Sequence, residues 1–171
     1  MKRFDRMVPH RFIPAAVILL AVLTWPSQGW SKTTRQACDV NALLTHWADM
    51  LARSSSSGDA KWVVDTYQKD GSVLLPTCAN GPLFGRQQIT AYFTEFIKSK
   101  PVVEIGNPTI GGDCKFGYAS GLYTFKLAGG TGPELRARYT YIFRQGLIAQ
   151  HHSSLEPEPT ASGPPSACPP H

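Results

Sequence analysis

Apolar residues recur at helical spacing in three stretches of the chain and then give way to strict alternation. Asp39 is placed to cap a first helix in which Val40, Leu43, Leu44, Trp47 and Met50 form one apolar face, and the run Ser54–Gly58 (SSSSG) ends it. Asp59 opens a second helix with Ala60, Val63, Val64 and Tyr67 on one side, closed by Gly71. A third helix is predicted over Arg86–Ser99, where Ile89, Tyr92, Phe93, Phe96 and Ile97 share a face and Pro101 stops the run. Between the second and third helices, Ser72–Thr77 (SVLLPT) reads as a short strand, Asn80-Gly81 as a hairpin turn and Pro82–Gly85 as the return strand.

Beyond Pro101 the period becomes two. Val102–Ile110, Lys115–Leu127, Glu134–Arg144 and Leu147–Ser153 each read as a strand, separated by Gly111-Gly112, Ala128–Gly132 and Gln145-Gly146. Helices followed by strands joined through tight turns predict an α+β fold, three helices on a mostly antiparallel sheet. There are no internal repeats.

The ends follow different rules. Lys2, Arg3, Arg6 and Arg11 precede the apolar run Phe12–Trp25, which is shorter than the ~20 residues of a bilayer span. Small residues follow, so residues 1–31 are expected to be a signal peptide cleaved after Gly29 or Ser31, with the mature protein periplasmic or secreted and without a membrane span. Residues 32–157 form the predicted domain, and the Pro-, Ser- and Ala-rich residues 158–171 a disordered tail.

Charge changes with this division. The whole chain carries +5, but residues 1–31 hold four basic residues and one acid, leaving a net charge of about +2. No clustered basic face remains to suggest nucleic acid. The four cysteines Cys38, Cys78, Cys114 and Cys168 all follow the leader. In an oxidising compartment they predict at least one disulfide drawn from Cys38, Cys78 and Cys114, and their irregular spacing does not suit zinc.

Candidate chemistry lies on the later strands. In Leu135–Arg144, alternation places Tyr139, Tyr141 and Phe143 on one face and Arg138, Thr140 and Ile142 on the other. If the helices cover the Arg138 face, the aromatic face is left for a second subunit, and Arg138 stands at a cavity where it can hold an anion. If they cover the aromatic face, those rings are core. Alternation alone does not choose.

His151 and His152 point to opposite faces and cannot readily chelate one metal. His151 shares a face with Ser153, and is a candidate base or ligand contact together with Tyr123. Tyr123 and Phe125 can wall a pocket. No orienting acid, Gly-x-Ser-x-Gly elbow, phosphate-binding glycine loop or protein-kinase signature is present, and no cofactor or metal is implied.

Taken in order, Ser72–Thr77, Gly85-Arg86, Ile89, Tyr92-Phe93, Phe96, Lys100-Pro101, Gly112-Asp113, Gly121–Phe125, Ala137–Thr140 and His151–Ser154 resemble the calcium/calmodulin-dependent protein kinase II association domain and its stand-alone bacterial relatives, within the nuclear transport factor 2-like superfamily. The resemblance implies a cone: three helices in the concave face of a strongly curved sheet, with a pocket at the open end. It implies self-association to at least a dimer, and a pocket for a small organic ligand, anions included. Arg138 matches one pocket arginine of the family, while Phe125 and Ser153 stand where two others occur. Tyr92, Tyr123, Phe125, Arg138, His151 and Ser153 are therefore the expected ligand contacts, and Tyr139, Tyr141 and Phe143 the expected interface.

The superfamily also holds SnoaL-like and ketosteroid isomerase-like enzymes. This gives an alternative expectation, an isomerase, dehydratase or cyclase using His151 as base beside Tyr123 and Arg138. Asp65, on the second helix, is the nearest candidate acid and reads as a surface residue.

Overall fold

The computed structural model describes residues 39–79 and 81–156, all within the second of two units of the chain, residues 34–171. The expected signal segment, the Pro-rich tail, Cys38 and Cys168 lie outside the described residues.

Helix α1 runs Val40–Ser57, capped at its start by the Asp39 carboxylate, which accepts from the Asn41 N–H at 2.9 Å. The serine run does not break it. Ser54 is buried and continues the inward face of Val40, Leu44, Trp47 and Leu51, and its hydroxyl accepts from the Val63 N–H at 3.0 Å. The helix ends one turn later than the pattern suggested, at Gly58 in the left-handed region. Helix α2 is reduced to Lys61–Val64. The chain beyond it turns so that Tyr67 bridges to Ile148, and this contact with the sheet replaces the last helical turn the spacing predicted.

Strands β1 (Val73–Leu75) and β2 (Leu83–Phe84) pair antiparallel, joined by residues 76–82 rather than by a two-residue turn. Helix α3 spans Gly85–Phe96 and tightens into a final 3-10 turn, Ile97–Ser99. The predicted strand Val102–Ile110 is two strands, β3 (Val102–Ile105) and β4 (Thr109–Gly112). Pro108 lies between them and has no N–H for a ladder. Strands β5 (Phe116–Lys126), β6 (Glu134–Arg144) and β7 (Leu147–Leu155) complete the sheet.

The sheet order is β2-β1-β7-β6-β5-β3, with β4 also pairing with β5. β1 runs parallel to β7, and the other strand pairs are antiparallel, so the seven-stranded sheet is mixed. The α+β expectation holds, with three helices on one face of a sheet that does not close.

Which face the helices cover is the opposite of the choice that put Arg138 in a cavity. Leu135, Ala137, Tyr139, Tyr141 and Phe143 point inward, Tyr139 at 2 % and Tyr141 at 0 % exposure, while Arg136, Arg138 and Arg144 are exposed outside. Tyr139, Tyr141 and Phe143 are thus core residues of one chain and unavailable to a neighbouring copy.

Two terms of the same sign decide this. Burying each ring stabilises by roughly 2–3 kcal/mol, whereas burying an unpaired guanidinium costs several kcal/mol. Arg138 forms no ion pair among the described residues that could offset that cost.

Candidate functional site

The inward face converges on an aromatic chamber between α1, α3 and strands β1, β5 and β7. Trp47 comes from α1, Tyr92, Phe93 and Phe96 from α3, Tyr123 and Phe125 from β5, and His151 and Ser153 from β7. Inward alternation brings Tyr123 and Phe125 together on β5, and His151 and Ser153 on β7. Helical spacing brings Tyr92, Phe93 and Phe96 together on α3.

Five of the six expected ligand contacts therefore meet in one place: Tyr92, Tyr123, Phe125, His151 and Ser153. Arg138 does not. It lies on the outer face opposite Leu122 and Ser154, because the side chains of one strand alternate and Tyr139 has the inward position.

At the centre, His151 sits between two phenols. The Tyr67 hydroxyl is 2.7 Å from Nδ1, and the Tyr123 hydroxyl 3.4 Å from Nε2. A neutral imidazole donates at one nitrogen and accepts at the other, so one phenol donates to the ring and the other accepts from it. The hydroxyls of Ser153 and Thr77 are bonded to each other and lie beside the Tyr123 oxygen. His151 also stacks on Tyr141, ring centroids 4.0 Å apart, and meets Trp47 edge-on at 5.5 Å.

Burial sets the electrostatics. It holds the His151 pKa down to about 3, with the nearby His152 acting in the same direction. Burial likewise pushes the phenols of Tyr67, Tyr92, Tyr123 and Tyr141 up. The cluster is neutral at physiological pH. The Trp47 indole N–H acts on the Tyr67 oxygen without reaching hydrogen-bond geometry, and the Tyr139 and Tyr141 hydroxyls find no partner among the described residues.

These facts limit the chemistry. No carboxylate, lysine or arginine is among the residues lining the chamber. Its free volume is about 10 Å³, room for one water, where organic ligand sites run to roughly 300–1,000 Å³. A base with a pKa near 3 is matched to acid, not to proton abstraction near neutrality. His151 and Tyr123 do meet, but the trio with Arg138 is not assembled.

Asp65 is on the surface, bonded to Lys61 and 2.8 Å from Arg86, and the Lys61 contact chiefly holds its carboxyl below the usual range. Among the described residues no group of three or more metal-ligating side chains converges, and no helix is long and apolar enough to cross a membrane. Cys78 and Cys114 do not stand as free thiols.

One solved structure decides the family. A protein from Xanthomonas campestris, provisionally described as a calcium/calmodulin dependent protein kinase II association domain, is 38 % identical over 70 % of this chain and 86 % of its own, with a TM-score of 0.61. The chain belongs to the calcium/calmodulin-dependent protein kinase II association-domain family.

Two remoter structures share the fold with this association domain. A cystatin-like protein of unknown function from Nostoc punctiforme is 13 % identical over 71 % of this chain and 96 % of its own, TM-score 0.57. The epoxide hydrolase/cyclase-like enzyme SalBIII of salinomycin pyran-ring formation is 15 % identical over 69 % and 93 %, TM-score 0.53. No protein-family model and no curated protein matches the chain.

Sequence reasoning missed two members of this association domain's polar cluster. Tyr67 is 84 residues from His151, and Thr77 is 76 from Ser153. Tyr67 read only as the apolar face of a helix, and no local pattern marks either contact. The bridge of Tyr67 to Ile148 and the parallel pairing of β1 with β7, Leu74 opposite His151, bring them together.

Proposed function

We propose that the protein is an exported association domain that works by pairing with a second copy through the outer face of β5, β6 and β7. One observation carries the reading: large apolar side chains stand exposed among the arginines and other polar residues of this face. Phe116, Tyr118, Leu122 and Leu147 are 57, 41, 43 and 37 % exposed. Ile142 lies across from Tyr118, and Arg144 stands opposite both Phe116 and Leu147.

Three strands of up to eleven residues cover on the order of 500 Å² in projection, and side-chain relief brings this near the ~800 Å² per partner of a stable interface. The family supports the reading, since the Xanthomonas relative is described as an association domain. A chamber with room for one water favours a packed interior over a formed site for an organic ligand. The basic and apolar leader supports export, and an oxidising destination suits cysteines that are not free thiols.

Sedimentation of the exported protein at micromolar concentration tests this. The expected result is a dimer or larger assembly. Leu122→Glu and Tyr118→Glu should each give monomer with little change in melting temperature, because both side chains face outward. A wild-type monomer, or an assembly indifferent to both changes, refutes the proposal.

A further inference from the structure

A second surface lies away from both the chamber and the outer sheet face. β3 ends the sheet order, and among the described residues its pairing partner is β5 alone. The Gly106 N–H donates to the Leu122 carbonyl at 2.9 Å, continuing the register that sets Ile105 opposite Tyr123. Main-chain groups alternate along a strand, so the N–H and C=O of Val103 and Ile105 turn away from β5 toward the open edge. Sheet edges are commonly blunted by proline, a bulge or a cover. Val102–Ile105 contains no proline, and its register with β5 is regular.

Beside this edge runs a groove of about 450 Å³ between α1 and the chain entering β3. Its α1 wall is small, Ala48 and Ala52 facing Pro101, Val102 and Val103, and Val102 is 42 % exposed. The Ser55 hydroxyl donates to the Pro101 carbonyl at 3.4 Å and ties the two walls at one end. Lys100 adjoins that end, and Asp49 lies six residues back along α1, about 9 Å at 1.5 Å per residue. Neither forms an ion pair among the described residues.

We propose that the β3 edge and this groove form a docking site for an extended peptide segment of another protein. The segment would add as a strand to β3, place a small or branched apolar side chain against Ala52 and Val102, and carry an acidic residue toward Lys100 and a basic one toward Asp49. Outward main-chain donors and acceptors beside an apolar slot with opposite charges at its ends recognise extended backbone in a way that a compact small molecule does not exploit. The site does not depend on the self-association reading, which uses the outer face.

The test pans a displayed library of random heptapeptides on the full exported chain, with two variants as controls. Ala52→Trp fills the groove from an exposed helix position. Val103→Pro removes one outward N–H and leaves the β5 ladder intact. The expected result is enrichment of alternating apolar sequences on the wild type. Each variant should weaken binding of the selected peptides by about tenfold or more, and the peptides should slow hydrogen exchange at the Val103 and Ile105 amides. Circular dichroism melts serve as the check that both variants fold. No enrichment, or binding unchanged in both variants, overturns the proposal. Loss of the peptide-free assembly in Ala52→Trp also overturns it, since a second copy would then occupy the edge. Loss of assembly in Leu122→Glu with peptide binding intact leaves the docking site standing.

Discussion

Replacing His151 tests the interior most directly, because its protonation is coupled to folding. The folded pKa is held down to about 3 by burial, while the unfolded imidazole titrates near 6.5. Between these values the unfolded chain takes up a proton that the folded chain refuses, so stability falls as pH drops through that window. The slope approaches about 1.4 kcal/mol per pH unit between the two pKa values, giving roughly 2.3 kcal/mol between pH 6.5 and 4.5 and about 4 kcal/mol by pH 3. Set against a total stability of ~5–15 kcal/mol, that is enough to begin unfolding the protein in mild acid.

The carboxyls of Asp65 and Asp113 are held low by Lys61 and by the Phe116 N–H respectively, so their contribution is lost below the window used for His151. His151→Gln keeps hydrogen-bonding capacity toward Tyr67 and Tyr123 but cannot titrate. It should cost about 1–3 kcal/mol at pH 7.5, where the fit to two phenols is imperfect, and it should flatten the dependence between pH 6.5 and 4.5. Urea unfolding followed by tryptophan fluorescence at pH 7.5, 6.5, 5.5 and 4.5 measures both effects. Equal slopes in wild type and variant, or an imidazole titrating near 6.5 by NMR in the folded protein, would show the reasoning to be wrong.

Other outcomes follow from the same packing. Tyr141→Phe removes a fully buried hydroxyl without a described partner, so calorimetry should show stability unchanged or raised by up to about 1 kcal/mol. Gly121→Ala sets a methyl 2.9 Å from the Tyr139 hydroxyl oxygen; forcing that ring aside should cost about 1–3 kcal/mol and lower the melting temperature by several degrees. Ser54→Ala leaves the Val63 N–H unpaired inside the core, a loss of about 1–3 kcal/mol by denaturant titration. Non-reducing mass spectrometry of the protein recovered from an oxidising compartment should show at least one disulfide involving Cys78 or Cys114.

The sequence by itself determined the elements and the order in which they come. Helical period in α1 and α3, alternation in β5 to β7, and glycine pairs between strands are local consequences of side-chain geometry, and each appears close to where the pattern placed it. Its order of motifs also reached the family. Boundaries moved where a distant contact outweighed a local signal: Ser54 stayed helical because its hydroxyl serves Val63, and the second helix stopped early because Tyr67 turns to Ile148.

Only the tertiary structure decided which face of β6 is inside. A period of two separates Arg138 from Tyr139 but carries no sign, and the helices covered the face whose burial removes most apolar surface from water and strands no charge. That one choice sent Arg138 to the exterior, made Tyr139, Tyr141 and Phe143 core, and left Phe116, Tyr118 and Leu122 to meet whatever lies outside. Likewise the phenol–imidazole chain from Tyr67 through His151 to Tyr123 exists because Tyr67 bridges to Ile148 beside β7 and because β6 sets β5 and β7 on its two sides. A non-local pairing of this kind leaves no trace in neighbouring residues.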